Sequence, residues 1–166
     1  MVAALLGVAG LAKVRRPLPT AQAMRTAGLP GSLALARALG VIEVVVALLA
    51  LAFGGPSTAL VVAAAYVAFA SVSIRLVARG AAGGCGCFGD ESAPVTNLHV
   101  GLNLVAAALA GLAALWPTDG LPSIVADEPA SSLVLIGLIA IGVALFQTAF
   151  TALPELIAAA REVERA

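Results

Sequence analysis

The sequence predicts an all-α protein, a multi-span transmembrane helical bundle. Of its 166 residues, 61% are hydrophobic and 11% charged. A soluble domain carries about 25% charged residues, so this chain has too few charges to cover a water-facing surface. Mean hydropathy is +1.08. Four apolar runs each reach the roughly 20 residues that cross a hydrocarbon core of about 30 Å. The formal net charge is zero, which argues against a nucleic-acid partner and leaves the lipid bilayer as the expected surroundings, with no soluble module.

Residues 1–12 are apolar but would reach only about 18 Å as a helix. Either the helix continues through Lys13 and Arg15, whose long side chains can snorkel, or it is the end of a longer one that starts upstream. No basic side chain precedes it and Lys13-Val14-Arg15-Arg16 follows, an order that does not fit a cleaved export signal. The run 33–53 is broken only by Arg37, Gly40 and Glu43, and Gly54-Gly55-Pro56-Ser57 then marks a tight turn. The run 59–78 carries Tyr66, two serines and Arg75, and 98–116 carries His99 and Asn103 near its start. A polar connection is expected over 117–129. The run 131–152 holds Gln147 as its one large polar side chain, and Pro154 should start a short final helix. Alanine dominates these runs, which suits close helix packing. Tyr66 and Trp116 read as core or interface aromatics. Five spans are expected, with four plus a half-inserted first helix as the alternative. Residues 1–116 would form a four-helix membrane core. Residues 117–166 would form a connecting loop, a fifth transmembrane helix and a short charged C-terminal helix.

With five alternating spans, all nine basic residues fall on one side. Lys13, Arg15, Arg16, Arg25 and Arg37 flank the start of the second span, Arg75 and Arg79 end the third, and Arg161 and Arg165 follow the fifth. The positive-inside tendency makes that side cytoplasmic. The N-terminus is then outside, and the C-terminus and the loop after Arg79 are inside.

That loop, Gly83-Gly84-Cys85-Gly86-Cys87-Phe88-Gly89, holds the only two cysteines. A Cys-x-Cys disulfide closes a very small ring whose backbone needs conformations that glycine tolerates best. Strained, accessible disulfides are the exchangeable kind. Cys85 and Cys87 therefore read as a redox pair supported by Gly86, Phe88 and Gly89, the alternative being two small hydrophobes that happen to be neighbours. Glu43 lies near the middle of an apolar run, where a carboxylate is costly and is a functional-site hypothesis by default. It would carry a proton or pair with Lys13 or Arg75, and a purely structural ion pair is the competing reading. His99 and Asn103, four residues apart, share one helix face beside the cysteine loop. His99 would take protons during thiol chemistry or stabilise a thiolate as imidazolium, unless it is merely interfacial. Two thiolates plus His99 would also suit zinc or Cu(I), although Cys-x-Cys is tighter than the usual zinc spacing and no methionine cluster marks a copper path.

The run Cys85-Gly86-Cys87-Phe88-Gly89, followed by Pro94, His99-Val100 and Asn103, resembles the central motif of the methylamine-utilisation protein MauE and its DoxX-like relatives. Gly10-Leu11-Ala12-Lys13 is similar to that family's first-span ending, and Gly28-Leu29-Pro30 and Glu43 match its short loop and second-span acid. The family's Arg-Asn pair reads Leu102-Asn103 here. The likeness covers 5–116 and leaves the fifth span outside. It implies a four-helix DoxX-like core plus a fifth span, thiol redox chemistry and a thioredoxin-like partner. That partner acts outside the cytoplasm, maturing a disulfide-rich enzyme subunit, whereas the charge count puts Cys85 and Cys87 inside. A cytoplasmic thiol system and a re-entrant site bordered by basic residues both accommodate the difference.

Three functions follow as expectations. The first is a membrane thiol–disulfide redox protein exchanging electrons through Cys85 and Cys87 with a thioredoxin-like partner, with a link to a membrane quinone if an apolar slot exists between helices. The second is a non-catalytic integral subunit that stabilises a larger membrane complex. The third is a membrane protein that binds metal through Cys85, Cys87 and His99.

Overall fold

The computed structural model of the chain describes residues 1–81, 83–84, 86, 95–117 and 119–165, with the backbone alone at 151, 154–155, 157–158 and 161–165. Among the described residues it is all-α. The helices are α1 (Val2–Arg15), α2 (Pro17–Thr26), α3 (Leu33–Phe53), α4 (Gly55–Ala78), α5 (Asn97–Leu115), α6 (Leu121–Asp127) and α7 (Pro129–Arg165). Four stretches are long and apolar enough to cross a membrane: α3, α4, α5 and Pro129–Phe150 of α7. The protein is a multi-pass membrane bundle.

Helix α1 has 14 residues and spans about 21 Å, short of a bilayer core, as in the half-inserted alternative. It is nevertheless integral to the bundle. Leu5, Leu6, Ala9, Gly10 and Lys13 are buried, and their three- and four-residue spacing puts them on one helix face. That face packs along α3, while α4 packs along α5. Leu5, Leu6, Ala47, Val62, Tyr66 and Ala106 lie in the main core, joined by Phe150 of α7. The Tyr66 hydroxyl donates to the Val2 carbonyl at 2.9 Å, tying α4 to the start of α1.

The α1–α3 crossing is a mutual contact of two glycines. A Cβ on Gly10 would lie 2.6 Å from the Gly40 carbonyl oxygen, and one on Gly40 would lie 2.7 Å from that of Gly10. Without hydrocarbon-driven association inside a bilayer, such backbone proximity supplies much of the packing energy. Rising numbers along α1 (Gly7, Gly10) meet falling numbers along α3 (Ala47, Gly40), so the two helices run antiparallel.

Two elements differ from the sequence expectation, and a third has no counterpart there. Helix α2 fills most of the stretch between the first two apolar runs, to which the sequence reading assigns no element; a proline in the first turn costs no backbone bond. Helix α6 occupies part of the expected polar connection, again with a proline at its start. The short terminal helix expected from Pro154 is instead the continuation of α7, one 37-residue helix. A proline removes a single backbone donor and strains the preceding turn, and the flanking Thr151-Ala152-Leu153 and Leu156-Ile157-Ala158-Ala159-Ala160 segments carry the helix through it.

Candidate functional site

The glycine crossing determines where the charges go. In this antiparallel crossing Lys13 sits against Gly40 and Glu43 against Gly10, so the long lysine side chain reaches along the narrow gap between the glycines to the carboxylate. The Lys13 ammonium donates to Glu43 Oε2 at 2.8 Å, and each side chain is 3% exposed. The same ammonium lies 5.1 Å from the ring centre of Phe69, whose face attracts a desolvated cation. Glu43 Oε1 is buried and has no hydrogen-bond partner among the described residues. Of the two cations expected as partners, the structure brings Lys13 to Glu43. Arg75 is exposed in the last turn of α4.

His99 and Asn103 share a face of α5 as the spacing implies, and both are buried. His99 has a local duty: its Nδ1 accepts the Thr96 backbone N–H at 3.2 Å and lies 3.3 Å from the Thr96 hydroxyl, completing a cap on α5. With Nδ1 accepting, the proton of a neutral ring sits on Nε2. The ring meets Phe150 edge-on, 5.9 Å between centroids. The Asn103 amide donates to the His99 carbonyl at 2.8 Å, and so acts within its own helix.

Cys85, Cys87, Phe88 and Gly89 lie outside the described residues, as does Pro94. The described parts of their loop are fastened to α2. Before the loop, Ala81 packs beside the buried cluster of Ala23, Ala27, Leu76 and Val95; Val95, at the loop's far end, belongs to that cluster. Between the cysteines, Gly86 is buried, with a positive φ of 66°. The Thr20 hydroxyl donates to its carbonyl at 2.7 Å. A Cβ on Gly86 would fall 2.7 Å from Thr20 Cα and 2.8 Å from the Pro19 carbonyl group. Only glycine suits that place, for both its φ and its room. Beside it, Gly83, Gly84, Gln22 and Thr26 border a cleft of about 190 Å³. Helix α2 in turn packs on α1 and α3, which hold the ion pair.

Within this constellation, Phe69 and Thr20 escaped the sequence reading, and Gly10 and Gly40 figure there without a packing role. The two glycines left a signal as small residues inside apolar runs. Thr20 left none, because its partner is 66 residues away. Among the described residues no group of three or more His, Cys, Asp or Glu side chains is gathered.

A family model described as methylamine utilisation protein MauE matches residues 1–117. The chain belongs to the MauE family. No curated protein and no solved structure matches it. The Lys13–Glu43 pair, the glycine crossing, the docked Gly86 and the His99–Asn103 face all fall within the matched MauE residues, whereas α6 and α7 lie beyond them.

At the opposite end of this MauE bundle, where α3 turns into α4, lies a cavity of about 450 Å³. It is bordered by residues near the start of α4, and the cysteine loop follows the other end of that 24-residue helix. From Val62, the last α4 residue on the cavity, to Ala78 the helix runs about 24 Å. The cavity is an apolar slot of the kind a quinone would need, but it lies about that far from the start of the cysteine loop, too far for direct contact with the sulfurs.

Proposed function

We propose that this MauE protein is a membrane thiol–disulfide exchange protein whose reactive pair is Cys85 and Cys87 and whose partner is thioredoxin-like. The docking of Gly86 on α2 carries the reading: the residue between the sulfurs is held in a left-handed conformation against backbone, which a mere surface loop has no need of. In the exchange, a thiolate of one protein attacks the disulfide of the other and forms a mixed disulfide. The second thiolate of the attacking protein then displaces it. One disulfide becomes a dithiol as one dithiol becomes a disulfide, so electrons and protons balance between the two partners. The cleft beside Gly83 and Gly84 offers room for a side chain of the partner. His99 holds the start of α5 in place behind the loop, with its Nε2–H as a hydrogen-bond donor. Lys13 and Glu43 fix α1 against α3 beneath α2, and Glu43 Oε1 is the carboxylate oxygen free to take a proton.

Alkylation with and without prior reduction tests this reading. The labelled count is expected to rise by two on reduction, and Cys85→Ser or Cys87→Ser should trap a mixed disulfide with the partner. Two thiols that label fully under oxidising conditions and never pair would defeat the proposal.

Orientation belongs to the same proposal. With the cysteines replaced by serine, a single cysteine at Ser123 should label from outside intact cells, and one at Gln22 should label only after permeabilisation. Both positions are exposed. The reverse pattern would put the thiol pair on the outer face.

A further inference from the structure

We infer that the cavity at the α3–α4 turn is a binding site for the hydrocarbon tail of a membrane amphiphile with a neutral or zwitterionic head. Its volume, about 450 Å³, is that of a small-molecule site. Fixed elements bound it. Helix α6 forms one wall with Leu121 and Ile124 and is fastened at both ends. At its start, Asp119 pairs with Gly54 in an isolated antiparallel bridge, and Gly120 packs so tightly on Ala52 that a Cβ would fall on the Ala52 carbonyl. At its end, the Ser132 hydroxyl of α7 donates to the Ile124 and Glu128 carbonyls at 3.1 and 2.7 Å. Small side chains, Ala50, Ala59, Ala110 and Ala113, keep the interior open.

The lining selects the occupant. Its side chains are almost all apolar; the polar exceptions include Thr58 and Asp119, both at the turn end of α3 and α4. Water needs two to four polar partners to stay in a cavity, and a void leaves its lining without dispersion contacts. A hydrocarbon chain drawn from the surrounding bilayer satisfies the interior. The polar rim lies where α3 ends and α4 begins, which is where a membrane-spanning pair meets the headgroup region, so the head of an amphiphile would rest there. The Thr58 hydroxyl already donates to the Gly54 and Gly55 carbonyls and offers its oxygen as an acceptor, and Asp119 is a carboxylate. Met1, with its amino group, also borders the cavity, so a carboxylate and an amine together face the head, which suits a zwitterionic head better than an anionic one. Because α6 and α7 supply one side of the cavity, it belongs to this chain as a whole and not to the matched MauE region alone.

The test is native mass spectrometry of the whole protein after exhaustive detergent exchange, with phosphatidylcholine, phosphatidylglycerol or a prenylated benzoquinone added back separately. The expected result is saturable retention of one molecule of phosphatidylcholine or of the prenylated quinone, the two arms telling which tail source is held more firmly. Phosphatidylglycerol should be retained at least fivefold less. Ala59→Phe should lower retention at least tenfold, and Ala59→Leu, a smaller intrusion, should lower it measurably with the helical content and the gel-filtration volume unchanged. Asp119→Lys should reverse the preference in favour of phosphatidylglycerol. Retention that never saturates, or that is equal in wild type and the Ala59 variants, overturns the site; a preference unmoved by Asp119→Lys overturns the placement of the head.

Discussion

Lys13→Met is expected to destabilise the bundle by about 3–5 kcal/mol, because it leaves the Glu43 carboxylate buried without its cation, and Glu43→Leu is expected to destabilise it less, because the Lys13 ammonium keeps the Phe69 ring face. Both side chains are almost wholly out of contact with solvent, so screening gives little relief. The double variant Lys13→Met/Glu43→Leu should return to wild-type stability or exceed it, since well-packed apolar replacements of a buried pair are often neutral or stabilising. Denaturant titration of the detergent-solubilised protein, followed by helical signal, measures all three. If the pair were only a fastener, nothing would be lost in the double variant. The unpartnered Glu43 Oε1 argues otherwise: a buried acceptor without a donor costs stability, and the crossing of Gly10 and Gly40 does not require it. Thiol exchange in the double variant is therefore expected to slow about tenfold while the fold persists. Exchange at the wild-type rate would make the pair structural. Glu43→Gln refines the result, since it keeps the side-chain shape and an acceptor oxygen but cannot titrate.

The spans were legible because membrane insertion is written in composition: a run of about 20 apolar residues has few other uses. Glu43 was legible for the same reason, as the one acid inside those runs. Its choice of Lys13 over Arg75 was not, because that depends on how closely α1 approaches α3, and the approach rests on two glycines that look like ordinary small residues. Helices α2 and α6 were hidden by prolines, which mark a loop and a helix start with the same letter. The continuity of α7 through Pro154 was hidden by the converse ambiguity. The glycine demand of the cysteine loop was visible, but its reason was local ring closure in the sequence and proves in the structure to include a tertiary contact at Gly86. The motif could not disclose Thr20, because a hydrogen bond across 66 residues leaves no periodic trace.

Apart from the cysteines themselves, that contact makes Gly86→Ala the substitution with the largest expected effect on exchange. An alanine at a φ of 66° costs about 1–2 kcal/mol from backbone strain alone. Its Cβ would also sit 2.7–2.8 Å from Thr20 Cα and the Pro19 carbonyl group. These are backbone atoms of a helix, and no rotamer change moves them aside. The loop must then lift from α2 and give up the bond to the Thr20 hydroxyl, worth about another 1 kcal/mol. Exchange with the partner is expected to fall at least tenfold. The melting transition should move little, because the α1–α3 and α4–α5 packing lies elsewhere in the bundle. Thr20→Val separates the two effects: it removes the hydroxyl with little change in shape, so exchange should fall by about fivefold at most, and Thr20→Ser should restore it. A Gly86→Ala protein that exchanges at the wild-type rate would show that the docking of the loop on α2 has no part in the chemistry. A protein that loses its helical signal would show instead that the loop holds the bundle together, which the burial of Ala23, Ala27, Leu76 and Val95 independently of Gly86 argues against.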